Sequence, residues 1–297
     1  MPPQTKPNIS FLGLGILGTG VAERLLAQGF AVTVWNRSPE KVEPLMRAGA
    51  MRAATPQEAA AHADVVITMV LDGPAVESLA LGPAGIAASL GRGKIHCDMS
   101  TIDAATSRRL AEHYRALGKD FVSAPVLGNR FAAAAGKLLI FAGGRAEAID
   151  VCAPIFAALG EKLWRFDRPE IAAAAKLCCN LMLAGMMEIF AESLLLAEKS
   201  GIAPKTFLDV LGSSNLGALL YQVKGDLIMR KDYQKTFYAR NLLKDLNLAL
   251  DAEGSVGAKL PGTRAMRDIF AAACDQGFAE KDYVEIFEWL ALQSGGG

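Results

Sequence analysis

The chain has 297 residues, 52% apolar and 21% charged, a length that calls for two domains or one domain with a large helical extension and a composition that excludes disorder. Its 31 basic side chains balance 31 acidic ones, which leaves no positive field for nucleic acid. The longest apolar stretch, Ile171 to Ala197, is broken by Lys176, Asn180, Glu188 and Glu192, and the opening Met-Pro-Pro-Gln-Thr-Lys lacks an apolar signal core, so the reading is a soluble cytoplasmic protein without a membrane span.

From Ile9 onward the pattern alternates. Ile9–Leu12 reads as a strand, followed by a glycine turn, an amphipathic helix from Gly18 to Gln28 and a second strand at Ala31–Trp35, together a βαβ opening. Further strands are expected at Asp64–Val70, Lys94–Cys97, Lys119–Val122 and Leu138–Phe141, with helical stretches between most of them. This alternation predicts an α/β class, with an N-terminal doubly wound, mostly parallel sheet of the Rossmann type. After Trp164–Phe166 the strand signal ends, and from Glu170 the composition is helical, punctuated by Gly201, Pro204, Gly212, Gly254 and Pro261. The expected domains are therefore 1–167, and 168–297 for a long interdomain helix followed by an all-helical C-terminal domain. Residues 171–199, apolar on almost every face, read as that joining helix, buried in the protein or between subunits. Ser294–Gly297 reads as a flexible tail.

Five cysteines (Cys97, Cys152, Cys178, Cys179, Cys274) show no paired-motif spacing, so a disulfide scaffold is not expected. Three histidines (His62, His96, His113) recur at no spacing that builds a metal cluster, and no metal is expected.

Directly after the first strand comes Gly13-Leu-Gly15-Ile-Leu-Gly18, and then a helix. In a dinucleotide site the first glycine makes the tight turn, the second lets main chain approach the pyrophosphate and the third allows close helix packing, while the helix N-terminus offers free N–H groups to the anion. Glycines also make ordinary turns, but here they sit in the strand–turn–helix context that nucleotide binding needs. The second strand ends Val34-Trp-Asn36-Arg37-Ser38, with no acid to hold a ribose 2′-hydroxyl. A guanidinium flanked by hydrogen-bonding side chains suits a 2′-phosphate, which makes NADP(H) the expected cofactor. The same segment also reads as a helix cap through Ser38, and both roles are compatible.

A bound nicotinamide leaves the protein to supply a proton donor, substrate contacts and exclusion of water. Lys176 is the foremost candidate, four residues before Asn180 on one face of an otherwise apolar helix, where burying an ammonium without purpose is costly. Desolvation should lower its pKa and an anionic substrate raise it again, leaving it able to protonate a developing alkoxide. The alternative is a lysine whose stem packs while its head reaches solvent. Two loops lie beyond strand ends, where ligands bind in open α/β sheets. In Asp98-Met-Ser100-Thr101 the hydroxyls read equally as substrate contacts and as a cap before Asp103. In Ser123-Ala-Pro125-Val-Leu127-Gly128-Asn129-Arg130 the glycine allows amides to face a carboxylate, and Arg130 reads equally as an anion partner and as a solvated residue. Lys244 and Asp245, in an amphipathic helix across Phe237–Ala249, read in isolation as a solvated face.

Together these segments resemble the β-hydroxyacid dehydrogenase family, which includes 3-hydroxyisobutyrate dehydrogenase, tartronate semialdehyde reductase and the glyoxylate/succinic semialdehyde reductases. The marks are Phe11–Gly18, Asp98–Thr101, Ala124-Pro-Val126, Lys176-Leu-x-x-Asn180 and Lys244-Asp-Leu246 followed by Leu248-Ala249, and they span nearly the whole chain. The resemblance implies a Rossmann domain, a long helix and a C-terminal helical domain that builds homodimers or homotetramers. It also implies a small carbonyl or hydroxyacid substrate. Lys176 matches the catalytic lysine, with Asn180 beside it. Ser100, Thr101, Leu127, Gly128, Asn129, Phe237 and Asp245 border the substrate. NADPH runs along Gly13, Gly15, Ile16, Leu17, Gly18, Asn36, Arg37, Ser38, Met69, Val70 and Leu71, with Thr101 by the nicotinamide and Lys244 on the cofactor side of an interdomain cleft.

Several positions depart from the family pattern. The usual Ala-Pro-Val-Ser-Gly-Gly is here Ala-Pro-Val-Leu127-Gly128-Asn129, which removes a hydroxyl, adds a side chain and predicts a greasier, narrower pocket that favours a bulkier or less acidic carbonyl compound over a small hydroxy acid. Two customary glycines are Glu170 and Ala172, and a customary asparagine is Cys179. Imine reductases share the architecture but generally replace the lysine, so Lys176 favours C=O over C=N reduction. A second alternative, a scaffold that grips NADPH without turnover, is opposed by the retained Lys176, Asn180, Lys244 and Asp245.

Overall fold

The structure of the chain, a computed structural model, describes residues 6–295; Met1–Thr5 of the opening and the tail residues Gly296 and Gly297 lie outside the described residues. The chain divides into two compact units, Met1–Lys176 and Leu177–Gly297.

The first unit begins β1 (Ile9–Leu12), α1 (Ile16–Ala27), β2 (Val32–Trp35), α2 (Glu43–Arg47), β3 (Met51–Arg52), α3 (Pro56–Ala61), β4 (Val65–Thr68), α4 (Gly73–Leu81) and α5 (Ile86–Ser89). It continues through β5 (Ile95–Asp98), α6 (Ala104–Ala116), β6 (Asp120–Ser123), β7 (Val126–Leu127), α7 (Arg130–Ala135), β8 (Leu138–Gly143), α8 (Ala146–Leu159) and β9 (Gly160–Phe166) to α9 (Pro169–Lys199). The sheet order is β3-β2-β1-β4-β5-β6-β8-β7, with β9 on β8. From β3 to β6 every pairing is parallel; β8 is antiparallel to β6 and β7 and parallel to β9. This is the Rossmann arrangement, and its order reverses between β1 and β4, where a crevice opens beyond the strands' carboxyl ends. Central strands covered by helices on both faces must be apolar throughout, and Ile9, Phe11, Val65, Ile67 and Ile95 all have at most 1% of their surface exposed. β3 and β7 are two residues each, too short to carry an alternation.

The division between units falls within α9, beyond the expected boundary at 167/168. The first turns of α9 pack on the sheet: a Cβ on Gly143 would lie 2.5 Å from the Arg168 carbonyl oxygen and 2.9 Å from the Ala172 Cβ. Ala172, where the family carries glycine, is fully buried there.

The second unit holds the rest of α9 with α10 (Pro204–Gly212), α11 (Leu219–Arg230), α12 (Ala239–Val256), α13 (Pro261–Ala273) and α14 (Ile286–Gln293). Its only strand-like pairing among the described residues is an isolated bridge between Tyr238 and Asp282. Met187, Phe190 and Leu194 of α9 pack into a core with Leu242, Leu246, Phe270 and Phe287. Within the single chain α9 is covered on one side only: Met182, Ile189 and Leu196, seven residues apart, are 64%, 52% and 69% exposed. One face of the helix meets the core and the opposite face carries this apolar stripe. By length and composition α9 could cross a membrane, yet its buried Lys176 and Asn180 mark it as a core helix. All five cysteines are free thiols, and among the described residues no group of three or more His, Cys, Asp or Glu is placed to hold a metal.

Candidate active site

The glycine turn between β1 and α1 is fixed by what a side chain would strike. Gly13 has φ +107°, and a Cβ there would lie 2.3 Å from the Met69 carbonyl oxygen and 2.8 Å from Val70 Cγ1. A Cβ on Gly18 would lie 2.2 Å from the Gly13 carbonyl oxygen, so the first turn of α1 packs directly on the loop. Gly15, the residue that begins α1, has nothing within 4 Å of its Cβ position, and no side chain caps the helix there. Ile16 and Leu17 follow, half-buried, with amides at the uncapped end. An open space before a bare helix N-terminus is what a pyrophosphate requires, so these residues fit a dinucleotide.

At the end of β2, Asn36 serves the turn itself: its Oδ1 accepts from the Leu14 amide at 2.9 Å and its Nδ2 donates to the Ser38 carbonyl at 3.0 Å. Both ends of the Asn36 amide thus shape protein main chain. Ser38 precedes a short 3-10 turn, but its hydroxyl makes no capping bond. Arg37 is exposed, and among the described residues no hydrogen bond or ion pair holds its guanidinium. Its fork is therefore available to a phosphate. At the end of β4, Met69 and Val70 are half-buried and close on Gly13, while Leu71 is exposed.

In the loop after β5, the cap of α6 is Asp103, whose Oδ1 accepts from the Thr106 amide at 2.7 Å. Ser100 therefore does not cap. Its hydroxyl accepts from the Val70 amide at 2.9 Å, tying the β5 loop to the β4 loop. Thr101 is half-buried beside it.

Leu127, which ends β7, is half-buried, and Gly128 in the loop that follows has φ +133°, with a would-be Cβ 2.7 Å from Leu138 Cδ2. Asn129 does not project freely from the loop. Its Oδ1 accepts from the Phe131 and Ala132 amides at 3.0 and 3.1 Å, so the side chain turns back to cap α7. Arg130 lies over the neighbouring Phe131 ring, 4.7 Å from its centroid, and is otherwise exposed.

Lys176 ends the first unit on α9 with 9% of its surface exposed. Asn180, one helical turn on, is 3% exposed and donates from Nδ2 to Asp245 Oδ2 at 2.5 Å. Asp245, 4% exposed on α12, also forms an ion pair with its neighbour Lys244, Nζ to Oδ1 at 2.8 Å, at an angle outside hydrogen-bond geometry. The solvated-face reading of this pair is thus corrected. Because a carboxylate only accepts, the Asn180 amide must turn its nitrogen to Asp245 and present its carbonyl oxygen elsewhere. Phe237 precedes α12: its amide donates to Asp282 Oδ2 at 3.0 Å and its ring meets Tyr283 edge-on at 5.9 Å.

Sequence reasoning missed three polar residues in the β4 and β5 strands, Thr68, His96 and Asp98, all fully buried. Their signal was present: a doubly covered parallel strand should read as an unbroken apolar run, and these break it.

Two family models match the chain. Residues 8–178 match the NAD-binding domain of 6-phosphogluconate dehydrogenase, and residues 171–290 match the NAD-binding model of NADP-dependent 3-hydroxyisobutyrate dehydrogenase. The chain belongs to the β-hydroxyacid dehydrogenase family. As a β-hydroxyacid dehydrogenase it is an oxidoreductase with NADP(H) as cofactor, in agreement with the glycine turn and the missing acid after β2. It is 35% identical over 284 residues to an oxidoreductase of Bacillus subtilis, covering 95% of this chain and 99% of that one. It is 31% identical over 283 residues to glyoxylate/succinic semialdehyde reductase 2 of Arabidopsis thaliana, covering 95% and 79%. Among solved structures, the 3-hydroxyisobutyrate dehydrogenase of Mycobacterium tuberculosis superposes with TM-score 0.87 at 26% identity, covering 96% and 99%.

Proposed function

We propose that this β-hydroxyacid dehydrogenase reduces the carbonyl of an aldehyde, semialdehyde or 2-oxo acid to the alcohol, or runs the reverse oxidation of a β-hydroxyacid, with Lys176 as general acid–base. The observation that carries this reading is the burial of Lys176 one turn from Asn180, whose amide is locked by Asp245. Burying a lysine on an apolar helix is costly unless polar partners or a ligand meet it.

Bound NADPH supplies hydride to the carbonyl carbon. Lys176 gives its Nζ proton to the oxygen as negative charge develops there; in the oxidising direction the neutral amine takes the hydroxyl proton. Asn180 fixes the donor, Asp245 and Lys244 fix Asn180, and Phe237 offers an apolar wall. Arg37 pairs with the 2′-phosphate and the uncapped start of α1 with the pyrophosphate. With Asn129 turned into its cap, the loop around Gly128 keeps main-chain amides for a carboxylate, which supports small acidic carbonyl compounds such as those named for the Arabidopsis relative. The apolar stripe Met182, Ile189 and Leu196 supports a homodimer or homotetramer, checked by light scattering on the purified protein.

The deciding experiment follows NADPH absorbance with glyoxylate, succinic semialdehyde, tartronate semialdehyde, bulkier aldehydes and cyclic imines. Oxidation with at least one carbonyl compound is the expected result. Consumption with imines alone transfers the assignment to C=N reduction, and binding without any turnover supports a scaffold.

A further inference from the structure

β4 and β5 are central strands covered on both faces, yet they end in polar residues that no solvent reaches: Thr68, His96 and Asp98 are all fully buried. Thr68 Oγ1 lies 2.7 Å from Asp98 Oδ1 and 2.8 Å from His96 Nε2. A hydroxyl has one proton, and a carboxylate can only accept it. Thr68 therefore donates to Asp98, and His96 must carry its hydrogen on Nε2 and donate to Thr68. His96 is packed against the rings of Tyr114 and Phe121, with centroids at 5.1 and 5.2 Å, and burial drives its pKa down to about 3, so it stays neutral.

The chain of bonds runs on toward the turn. Asp98 Oδ1 also accepts from the Ser100 amide at 3.2 Å, Ser100 Oγ accepts from the Val70 amide, and Val70 closes on Gly13. The strand ends are bound to the same groups by main chain: the Met99 amide donates to the Thr68 carbonyl at 2.8 Å and the Ala124 amide to the Asp98 carbonyl at 2.6 Å. In the sheet, β4 lies on the opposite side of β1 from β2. Arg37 at the end of β2 marks the adenosine side of the crevice, so the ends of β4 and β5 face the other half of the dinucleotide.

We propose that His96, Thr68 and Asp98 form a buried hydrogen-bonded wire that positions the Val70 and Ser100 loops for the nicotinamide half of the cofactor. They are positioning residues, acting through Ser100 and Val70. The placement of the nicotinamide rests on the cofactor reading above; the wire itself does not depend on Lys176.

The test measures binding, not turnover. NADPH and adenosine 2′,5′-bisphosphate, which has the 2′-phosphate but no nicotinamide, are titrated into the wild type, Thr68→Val and Thr68→Ser proteins. Val keeps the shape and removes the hydroxyl, and Ser restores it. The expected result is NADPH weakened about tenfold or more in Thr68→Val, with the bisphosphate within about twofold of wild type and NADPH binding recovered in Thr68→Ser. Equal weakening of both ligands, weakening of neither, or a Ser variant as poor as Val overturns the proposal. A second readout is independent of any ligand: the His96 ring should show its hydrogen on Nε2 by nitrogen NMR and should not titrate near pH 6.5, and a hydrogen on Nδ1 or a titration there overturns the wire. Lys176→Ala separates the two readings, since it should abolish turnover while binding both ligands as the wild type does. If it instead retains turnover, the proton-donor assignment falls and the wire stands.

Discussion

On the loops of the α/β unit polar side chains answer main chain. Asn36 holds the Leu14 amide, Ser100 the Val70 amide and Asn129 the first amides of α7. Along the helices of the second unit several polar side chains answer one another: the Asn180 amide goes to Asp245, the Tyr233 hydroxyl to Glu288 and Glu188 to Glu192, while between helices Asp282 accepts from the Thr236 and Phe237 amides. The difference follows from the elements. Strand ends and loops leave amides and carbonyls unmet, which side chains must satisfy, whereas a helix satisfies its own interior backbone. A buried polar residue on a loop of the first unit is therefore explained by geometry it holds in place. One on a helix of the second unit is explained by a neighbouring loop, as Glu253 is by the Leu260 amide, by another side chain or by a ligand, and the Asn180–Asp245 pair, which among the described residues meets no main chain, is the one that bears on chemistry.

The sharpest way to break this contrast is Lys176→Ala, for which kcat should fall about a hundred- to ten-thousandfold with NADPH affinity unchanged; kcat near wild type would remove the lysine from the mechanism. Next come two glycines of one loop. Gly18→Ala drives a methyl into the Gly13 carbonyl and should cost about 1–3 kcal/mol in denaturant titration, while Gly15→Ala, facing open space, should leave stability nearly unchanged and weaken NADPH. Arg37→Asp should weaken NADPH by about tenfold or more and leave NADH little affected, measured by fluorescence titration.

The smallest effect concerns pH, and the two units carry opposite signs. His96 is held neutral with a pKa of about 3 against an ordinary 6.5, so its contribution is present above pH 6.5 and lost as pH falls toward 3. Glu188 is pushed up to about 7 from 4.5 by burial and by its hydrogen bond with Glu192, so its contribution is present below pH 4.5 and lost as pH rises through 7. Melting temperature followed between pH 4.5 and 8 should show the falling limb flattened in Glu188→Gln. An unchanged pH profile in that variant would show that the carboxyl pair does not contribute.

How far the sequence could be read follows the same contrast. The β1–α1–β2 opening was plain because glycines sit where a side chain would meet backbone, and Lys176 stood out as a charge on an apolar helix. Asn129 was misread as added bulk, since nothing in the text shows that its oxygen turns back onto α7. Asp245 was hidden because adjacent charges on a helix look solvated, and its partner Asn180 is 65 residues away. The packing of Ala172 under Gly143, which ties the first turns of α9 to the sheet, leaves no periodic signal in the sequence.

That packing reaches beyond the fold. The root of α9 rests on Gly143 with no room for a methyl, and Lys176 is one turn past Ala172 on the same rod. The height at which the ammonium stands above the sheet is set by a methyl group that Gly143 lacks. An enzyme damaged at Gly143 would be misdiagnosed: its kinetics would accuse a proton donor that is chemically intact.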